Sequence, residues 1–187
     1  MTSDRPDVTG LSARARDIAA SADALAAAIG AFEEDLRSAD DEPVRRTGFR
    51  CDAATGSVHR AARELLDTAA DLDRIATAAA PGTCSIPWGA CPAHGNTLTS
   101  TGGKTWCRHL GCDRTWDYDR GGLPCTEPAR WMVTDQHGAG GVMCTGHGKD
   151  ARERLLGATI VPLEASRSAS ARGEGASAVA PEESKRP

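Results

Sequence analysis

The stretch CPAHGNTLTSTGGKTWCRHLGC, residues 91–112, places possible metal ligands on both sides of a strand–turn–strand pattern. Two residues separate Cys91 from His94, so both side chains can reach one ion, and the glycine after His94 permits the tight turn between such ligands. Cys107 and Cys112 form a second, looser pair. Between the pairs, TLTSTGGKTW predicts two short strands joined at Thr-Gly-Gly. These residues therefore predict one metal site.

The residues that follow predict a second site on a similar plan. Cys125 lies in the turn LPCTEP, and two strand-like segments, RWMVT and GVM, flank the polar turn DQHGAG. Cys144 and His147 open a helix predicted over about 145–157, and their spacing of three residues places them on one face. The N-terminus of a helix favours the thiolate form of a cysteine, which helps metal binding.

The sequence leaves part of both ligand sets open. Cys84 is the first choice as fourth ligand of the second site, because SIPWGA can fold back, and His137 at a hairpin tip is the second choice. His109 is an alternative ligand of the first site, since two residues also separate it from Cys112. The sets can also interleave, with Cys112 joining the second site. The predicted ligands of two Zn²⁺ ions are Cys84, Cys91, His94, Cys107, Cys112, Cys125, Cys144 and His147.

The rest of the chain favours metal ligands over disulfides. No apolar run approaches the roughly 20 residues that a membrane span requires, so no membrane partner is expected. The polar N-terminus MTSDRPDVTG lacks the basic and apolar regions of a secretory signal. We therefore expect a cytoplasmic, reducing compartment, in which seven cysteines indicate metal binding or free thiols. No Cys-x-x-Cys pair occurs, which argues against thioredoxin-like chemistry.

The N-terminal part predicts a first helix over residues 10–38. Apolar residues recur every seven positions, and a second set follows four positions after each, as in a seam between two helices. Thr9 or Ser12 is the expected cap, and the polar segment SADDEP, which ends in Pro43, is expected to end the helix. The two sets are Leu11, Ile18, Leu25 and Phe32, and Ala15, Ala22, Ile29 and Leu36.

A second helix is predicted over about 56–80, after a connection at 44–53. Val58, Leu65 and Leu72 again recur every seven residues, with an alanine four positions after each. The two helices predict an antiparallel hairpin. Because two helices alone bury too little surface to be stable, the hairpin needs the Cys-rich part or a second copy as its partner. Core packing within one chain and dimerisation both fit the pattern.

Together these predictions describe an α+β protein with a helical hairpin, a module of short β-hairpins and one helix, and a disordered C-terminal tail. The tail is rich in Ala, Ser, Gly and Glu and has no aromatic residue, a composition typical of disorder. The expected divisions are a flexible N-terminus at 1–9, the hairpin at 10–82, the zinc-binding module at 83–163 and the tail at 164–187.

The module resembles two small zinc-binding folds. The succession of ligand pair, β-hairpin and ligand pair over 88–118 resembles a zinc ribbon, and a β-hairpin leading into a ligand-bearing helix over 122–158 resembles a treble clef. Both resemblances imply structural zinc. The motifs CPAHG, WDYDR, PCTEPA and CTGH together also resemble those of small Cys/His-rich proteins of actinomycetes. That likeness implies no activity and no catalytic residue.

Composition and motifs argue against several function classes. The net charge of −4 lacks the basic surplus of a dedicated nucleic-acid binder. TGGKT at 101–105 lacks the upstream glycine and the following helix of a phosphate loop. The chain contains no nucleophile elbow, no His-Glu-x-x-His motif and no His-x-Glu deaminase signature.

The aromatic residues beside the ligands are expected to cover the small metal modules, and a stacking platform for bases is the alternative. These residues are Trp106, Trp116, Tyr118 and Trp131. If any surface contacts nucleic acid, the expected contacts are Lys104, Arg108, Arg114 and Arg120. Pairing of arginine with aspartate inside the module is the competing role.

These observations favour a zinc-stabilised intracellular interaction or adaptor protein without catalytic activity. Its helical hairpin is expected to bind a protein partner or a second copy of the chain. The first alternative is a regulatory protein that binds nucleic acid through the ribbon-like part. The second alternative is a zinc hydrolase with an open site at Cys125, Cys144 and His147, although no general base is evident nearby.

Overall fold

Three helices form the N-terminal part of the computed structural model, which describes residues 7–164. They are α1 (Val8–Arg37), α2 (Glu42–Thr47) and α3 (Phe49–Ala78). The two long helices form the predicted antiparallel pair. Ser12 near the start of α1 donates a hydrogen bond to Asp73 near the end of α3, and Asp23 lies beside His59 further along the pair.

The start of α1 differs from the prediction because another residue caps it. Asp7 caps α1 by accepting a hydrogen bond from a first-turn amide, whereas Thr9 lies inside the helix and Ser12 is buried against α3. At its other end α1 stops at Arg37, directly before the segment SADDEP, as predicted. Pro43 itself lies in the first turn of α2, where its missing N–H leaves no hydrogen bond unmade. The predicted connection is therefore largely helical, since α3 already begins at Phe49.

Small residues form the seam between α1 and α3. Ala19, Ala26, Ala62 and Ala69 are almost fully buried, so the two helix backbones approach each other closely. A close approach of alanines leaves no room for larger side chains between the helices. The larger predicted set on α1 accordingly lies beside the seam and is about half exposed: Leu11 44%, Ile18 46%, Leu25 53% and Phe32 56%.

The first sheet follows the hairpin. It contains β1 (Leu98–Thr101), β2 (Lys104–Cys107) and β3 (Thr115–Trp116), antiparallel in the order β1-β2-β3. Gly102 and Gly103 both have positive φ and form the two-residue turn between β1 and β2, as the Thr-Gly-Gly sequence predicts. The two-residue strand β3 was not predicted.

The second sheet carries the last helix. It contains β4 (Trp131–Thr134), β5 (Gly140–Met143) and β6 (Thr159–Pro162), antiparallel in the order β5-β4-β6, and α4 (Thr145–Arg154) connects β5 to β6. The helix ends three residues earlier than predicted, where Leu155 takes an extended conformation. β6 was not predicted, and it adds a third strand to the expected hairpin.

The sheets and helices confirm the predicted α+β class. Residues 1–6 and 165–187 lie outside the described part, so the predicted disordered tail except Glu164 and most of the predicted flexible N-terminus fall there. Within the described part, α1 begins at Val8, inside that predicted N-terminus. None of the helices between residues 7 and 164 combines the length and apolar composition that crossing a membrane requires.

Candidate metal centres

The eight predicted ligands meet in two groups of four, and each group can hold a metal ion. Within each group the ligand atoms all lie within 4.8 Å of one another. The first metal site consists of Cys91, His94, Cys107 and Cys112, and the second metal site consists of Cys84, Cys125, Cys144 and His147.

The second metal site is buried and has the spacing of a tetrahedral centre. Thiolates about 2.3 Å and an imidazole about 2.0 Å from one tetrahedral ion lie about 3.8 Å (S to S) and about 3.5 Å (S to N) apart. The sulfurs of Cys125 and Cys144 are 3.8 Å apart. Nδ1 of His147 lies 3.3 Å from the sulfur of Cys84 and 3.4 Å from that of Cys144. All four side chains belong to buried residues, so the donors are held in place.

Backbone hydrogen bonds from three segments assemble this second site. The amide of Cys84 donates to the carbonyl of Glu127 at 2.9 Å, and the amide of Cys125 donates to the carbonyl of Ile86 at 3.1 Å. Cys144 is the N-cap residue of α4, and His147 lies in the first turn of that helix, as predicted. The fourth ligand thus comes from outside the predicted treble-clef-like range 122–158.

The pKa values of two thiols show how closely the sulfurs of the second site interact. Hydrogen bonds from the thiols of Cys125 and Cys144 hold the pKa of Cys84 well below its usual range, although burial opposes this. Hydrogen bonds with Cys144 and Cys84, together with burial, raise the pKa of Cys125. Cys84 therefore forms a thiolate readily, and a bound cation is the partner that would allow Cys125 to ionise as well.

His147 is oriented for coordination through Nδ1. Its Nε2 is buried and has no hydrogen-bond partner among the described residues. The ring lies edge-on to Trp88, with ring centroids 6.3 Å apart and an interplanar angle of 82°. The packing thus fixes the ring with Nδ1 directed at the three sulfurs.

The first metal site has the same spacing but is closer to the surface. Nδ1 of His94 lies 3.6 Å from the sulfur of Cys91 and 3.5 Å from that of Cys107. Cys91 and Cys107 are buried, whereas His94 and Cys112 are partly exposed. The distances again match a tetrahedral ion with thiolate and imidazole ligands.

The first turn of this site depends on Gly95. Cys91 and Gly95 exchange two backbone hydrogen bonds of 2.9 Å, and Gly95 has a φ of 71°. A side chain there would also overlap the carboxylate of Asp150 on α4, which accepts a hydrogen bond from the amide of Asn96 at 2.7 Å. The ligand turn of the first site is therefore docked on the helix that carries ligands of the second site.

The groups around the first site favour the thiolate form of Cys107 and the neutral form of His94, which are the forms that bind a metal. Burial opposes ionisation of Cys107, but hydrogen bonds from the Thr97 hydroxyl and the His109 amide outweigh it and lower the pKa of the thiol. Desolvation lowers the pKa of His94, and the neighbouring charges of His109 and Lys149 act in the same direction. A lowered pKa keeps the imidazole neutral, which is the form that binds a metal. Burial raises the pKa of Cys91.

The predicted alternative ligands lie outside both groups. His109 stacks on His94 with ring centroids 3.8 Å apart, and its Nδ1 lies 2.9 Å from the carbonyl of Leu110. His137 lies at the exposed tip of the second hairpin beside Gln136. Cys112 joins the first site and not the second. The two ligand sets still interleave in sequence, because Cys84 of the second site precedes every ligand of the first site.

Arg120, which the sequence offered as a conditional nucleic-acid contact, is the centre of a buried network inside the module. It is 4% exposed, and its guanidinium donates to the Ala90 carbonyl at 3.0 Å, the Tyr118 hydroxyl at 3.1 Å and the Glu127 carboxylate at 2.6 Å. It also lies over the ring of Trp116, 4.6 Å from the centroid. Although burial opposes the charge, the hydrogen bonds to Glu127 and Tyr118 raise the pKa of Arg120. The residue is therefore a structural cation, and in this structure it cannot reach an external phosphate.

The other three predicted cations are exposed but do not form one surface. Lys104 and Trp106 of β2 and Arg108 directly after it lie at every second position, and the amide of Arg108 continues the pairing with Thr97, so the three side chains share the outer face of the first sheet. Arg114 lies opposite Cys107 on the inner side and lines a groove with Glu127.

Three of the four aromatic residues expected to cover the metal modules are packed against arginine side chains, and the fourth is exposed. Arginines pack on Trp116, Tyr118 and Trp131, and Tyr118 is covered by Arg74 of α3 at 3.8 Å from the ring centroid. Trp106, by contrast, is 36% exposed. The contact between Arg74 and Tyr118 also connects the helical hairpin with the Cys/His-rich part.

No family model matches the chain. The curated proteins and the solved structures that were compared with it likewise give no match.

Proposed function

We propose that this chain is a zinc-stabilised intracellular interaction protein without catalytic activity. The observation that carries the proposal is the pair of four-donor groups with tetrahedral spacing. Three cysteines and one histidine per group are a donor set that suits Zn²⁺, which takes four thiolate and imidazole ligands in structural sites. Six of the seven free cysteines belong to these two groups.

The ligand count supports a structural role over a hydrolytic one. A catalytic zinc site typically uses three protein ligands and leaves the fourth position to water. At the second site, Cys84 supplies the fourth donor, so four protein donors can complete the tetrahedron. Its burial also restricts the access of a substrate to the ion.

The small core supports a folding role for the metal. The buried cluster of the Cys/His-rich part consists of Cys84, Cys125 and Cys144, with Ile86 and Met143 packed against it. Such a cluster buries little apolar surface, so hydrophobic burial alone provides limited stability. Metal binding then supplies much of the folding free energy.

Metal content and coordination test the proposal together. We expect native mass spectrometry to find two zinc ions per chain, and X-ray absorption to find about three sulfur and one nitrogen neighbours per zinc with no water ligand. A chelator should unfold the Cys/His-rich part. A chain that keeps its fold without metal would contradict the folding role, and a zinc-bound water would revive the hydrolase alternative.

Binding of single-stranded nucleic acid is a second candidate, favoured by the outer face of the first sheet. Trp106 stands between Lys104 and Arg108 on this face, which combines a ring for stacking with two cations for phosphates. Trp106→Ala should weaken binding of an oligonucleotide about 5- to 150-fold, since stacking contributes about 1–3 kcal/mol per base. Leu110→Ala, which changes a neighbouring exposed residue, is the control. Affinity that does not fall with added salt would contradict this candidate.

A further inference from the structure

An apolar stripe on α1 runs parallel to the seam that α3 already fills. Leu11, Ile18, Leu25 and Phe32 follow one another at intervals of seven residues, and each is about half exposed. The stripe extends over 21 residues of helix, or about 32 Å. A helix that buries one apolar side and exposes another lacks a partner along the exposed side.

The two faces of the hairpin differ in character. On the face opposite the stripe, Arg16 pairs with Asp73, and Asp23 lies 3.4 Å from His59. Leu66 shares the column of His59 and Asp73 at seven-residue spacing, so it belongs to this polar face. The apolar stripe is therefore a property of one face only.

The neighbouring side of α3 extends the apolar face. Val58, Leu65 and Leu72 are partly buried and recur at the same seven-residue interval as the stripe on α1. Two matching repeats on adjacent antiparallel helices form half of a four-helix bundle.

We infer that this face binds a second copy of the chain, so that two helical hairpins form a four-helix bundle. The inference rests on the proposed function and names the partner of its helical part. The regular spacing makes the stripe self-complementary about a twofold axis: in an antiparallel arrangement, Ile18 of one copy lies beside Leu25 of the other, and Leu11 lies beside Phe32.

The exposed area is of the size that a dimer needs. Four half-exposed side chains of this kind present on the order of 400 Å² per chain, already as large as the biggest apolar patch of a typical monomer. Together with the partly exposed residues of α3 and the flanking atoms, the face approaches the roughly 800 Å² per partner of a standard interface.

The charges at the ends of the stripe favour the antiparallel arrangement. A parallel pair would bring the two Arg14 side chains to the same level, and likewise the two Asp35 side chains. In the antiparallel pair, Arg14 of one copy lies at the same end of the interface as Asp35 of the other. With Ile18 beside Leu25, the two are offset by six positions, about 9 Å along the axis, a separation close to one Debye length.

The test is the mass of the zinc-loaded full chain in solution, measured by light scattering after size exclusion and by sedimentation equilibrium. We expect the wild-type protein to have twice the chain mass of 19.5 kDa. The double substitution Ile18→Glu, Leu25→Glu should weaken dimerisation by about 100-fold or more, because it places charges at the centre of the interface. Both positions are about half exposed in the single chain, so helix content by circular dichroism should persist.

Leu66→Glu is the matched control, since Leu66 is as exposed as Ile18 (46%) but lies on the polar face. This variant should remain dimeric. A wild-type monomer at all concentrations up to about 100 μM, or a double variant that still dimerises, would overturn the inference. Zinc content measured on the same samples separates the two proposals: a monomer with two zinc ions overturns only the dimer, whereas a folded dimer without zinc overturns only the zinc-stabilised role.

Discussion

Substituting Arg120 with methionine should lower the stability of the Cys/His-rich part without removing either metal. Methionine keeps much of the apolar stem of the arginine but loses every guanidinium hydrogen bond. The charge-assisted bond to Glu127 contributes about 1.5–3 kcal/mol, and the bonds to the Ala90 carbonyl and Tyr118 hydroxyl contribute about 0.5–1.5 kcal/mol each. We therefore expect a loss of about 3–5 kcal/mol, which agrees with the usual cost of removing one partner of a buried ion pair.

The size of this effect depends on what happens to the groups that lose their partner. The side chain of Glu127 is 29% exposed, so its carboxylate can be rehydrated. The carbonyl of Ala90 belongs to a fully buried residue and would stay unsatisfied. Most of the cost should therefore come from the buried carbonyl and the lost ion pair together.

Denaturant unfolding of the zinc-loaded chain, followed by tryptophan fluorescence, measures the loss. Arg114→Met is the control, since Arg114 is exposed, and it should change stability by less than about 0.5 kcal/mol. A double-mutant cycle with Glu127→Gln should give a coupling energy of about 1–3 kcal/mol. A loss below about 1 kcal/mol for Arg120→Met at unchanged zinc content would refute the reasoning.

Three further predictions address the metal and the helices. Cys125→Ser should lose one zinc per chain and unfold the second site, because structural zinc binding contributes on the order of 10 kcal/mol to folding. Elemental analysis measures the loss, and the control Cys51→Ser should keep both ions. Gly146→Ala should lower the melting temperature, since its Cβ would overlap the carbonyl oxygen of Cys91, while Gly56→Ala on open helix surface should add about 0.5–1 kcal/mol. Asp7→Ala should cost about 1 kcal/mol through the lost N-cap, measured by thermal melting of the zinc-loaded chain.

Ligand spacing predicted much of the candidate metal sites, because short-range geometry limits which side chains can reach one ion. Cys91 and His94 lie on one turn, and Cys144 and His147 open one helix, so each pair could be found from its spacing alone. Cys84 was first choice only through its proximity to Cys91. Its actual position depends on hydrogen bonds to residues that follow the first site, which no local pattern encodes.

The burial of the helices and the role of Arg120 were harder to predict. Seven-residue repeats predict a seam, but they do not fix which column of α1 faces α3. The buried column consists of Ser12, Ala19, Ala26 and Glu33, one position after the predicted large set, and only Ala15 of the two predicted sets on α1 is buried. For Arg120, the run WDYDR shows a cation among acids and aromatics, and only the folded chain shows that the guanidinium is buried.

The sequence order of the ligands makes the two metal sites parts of one folding unit. Cys84 and Cys125 enclose the whole first site, so forming that site first shortens the loop between them by about half. Loop-closure entropy alone would then favour the second site by only about 0.6 kcal/mol. Direct contacts are stronger: Asp150 of α4 binds the amide of Asn96, Gly146 packs on Cys91, and Arg120 joins the two sides through several hydrogen bonds. We therefore expect cooperation between the sites to come mainly from these contacts, and loss of either ion to weaken the other site.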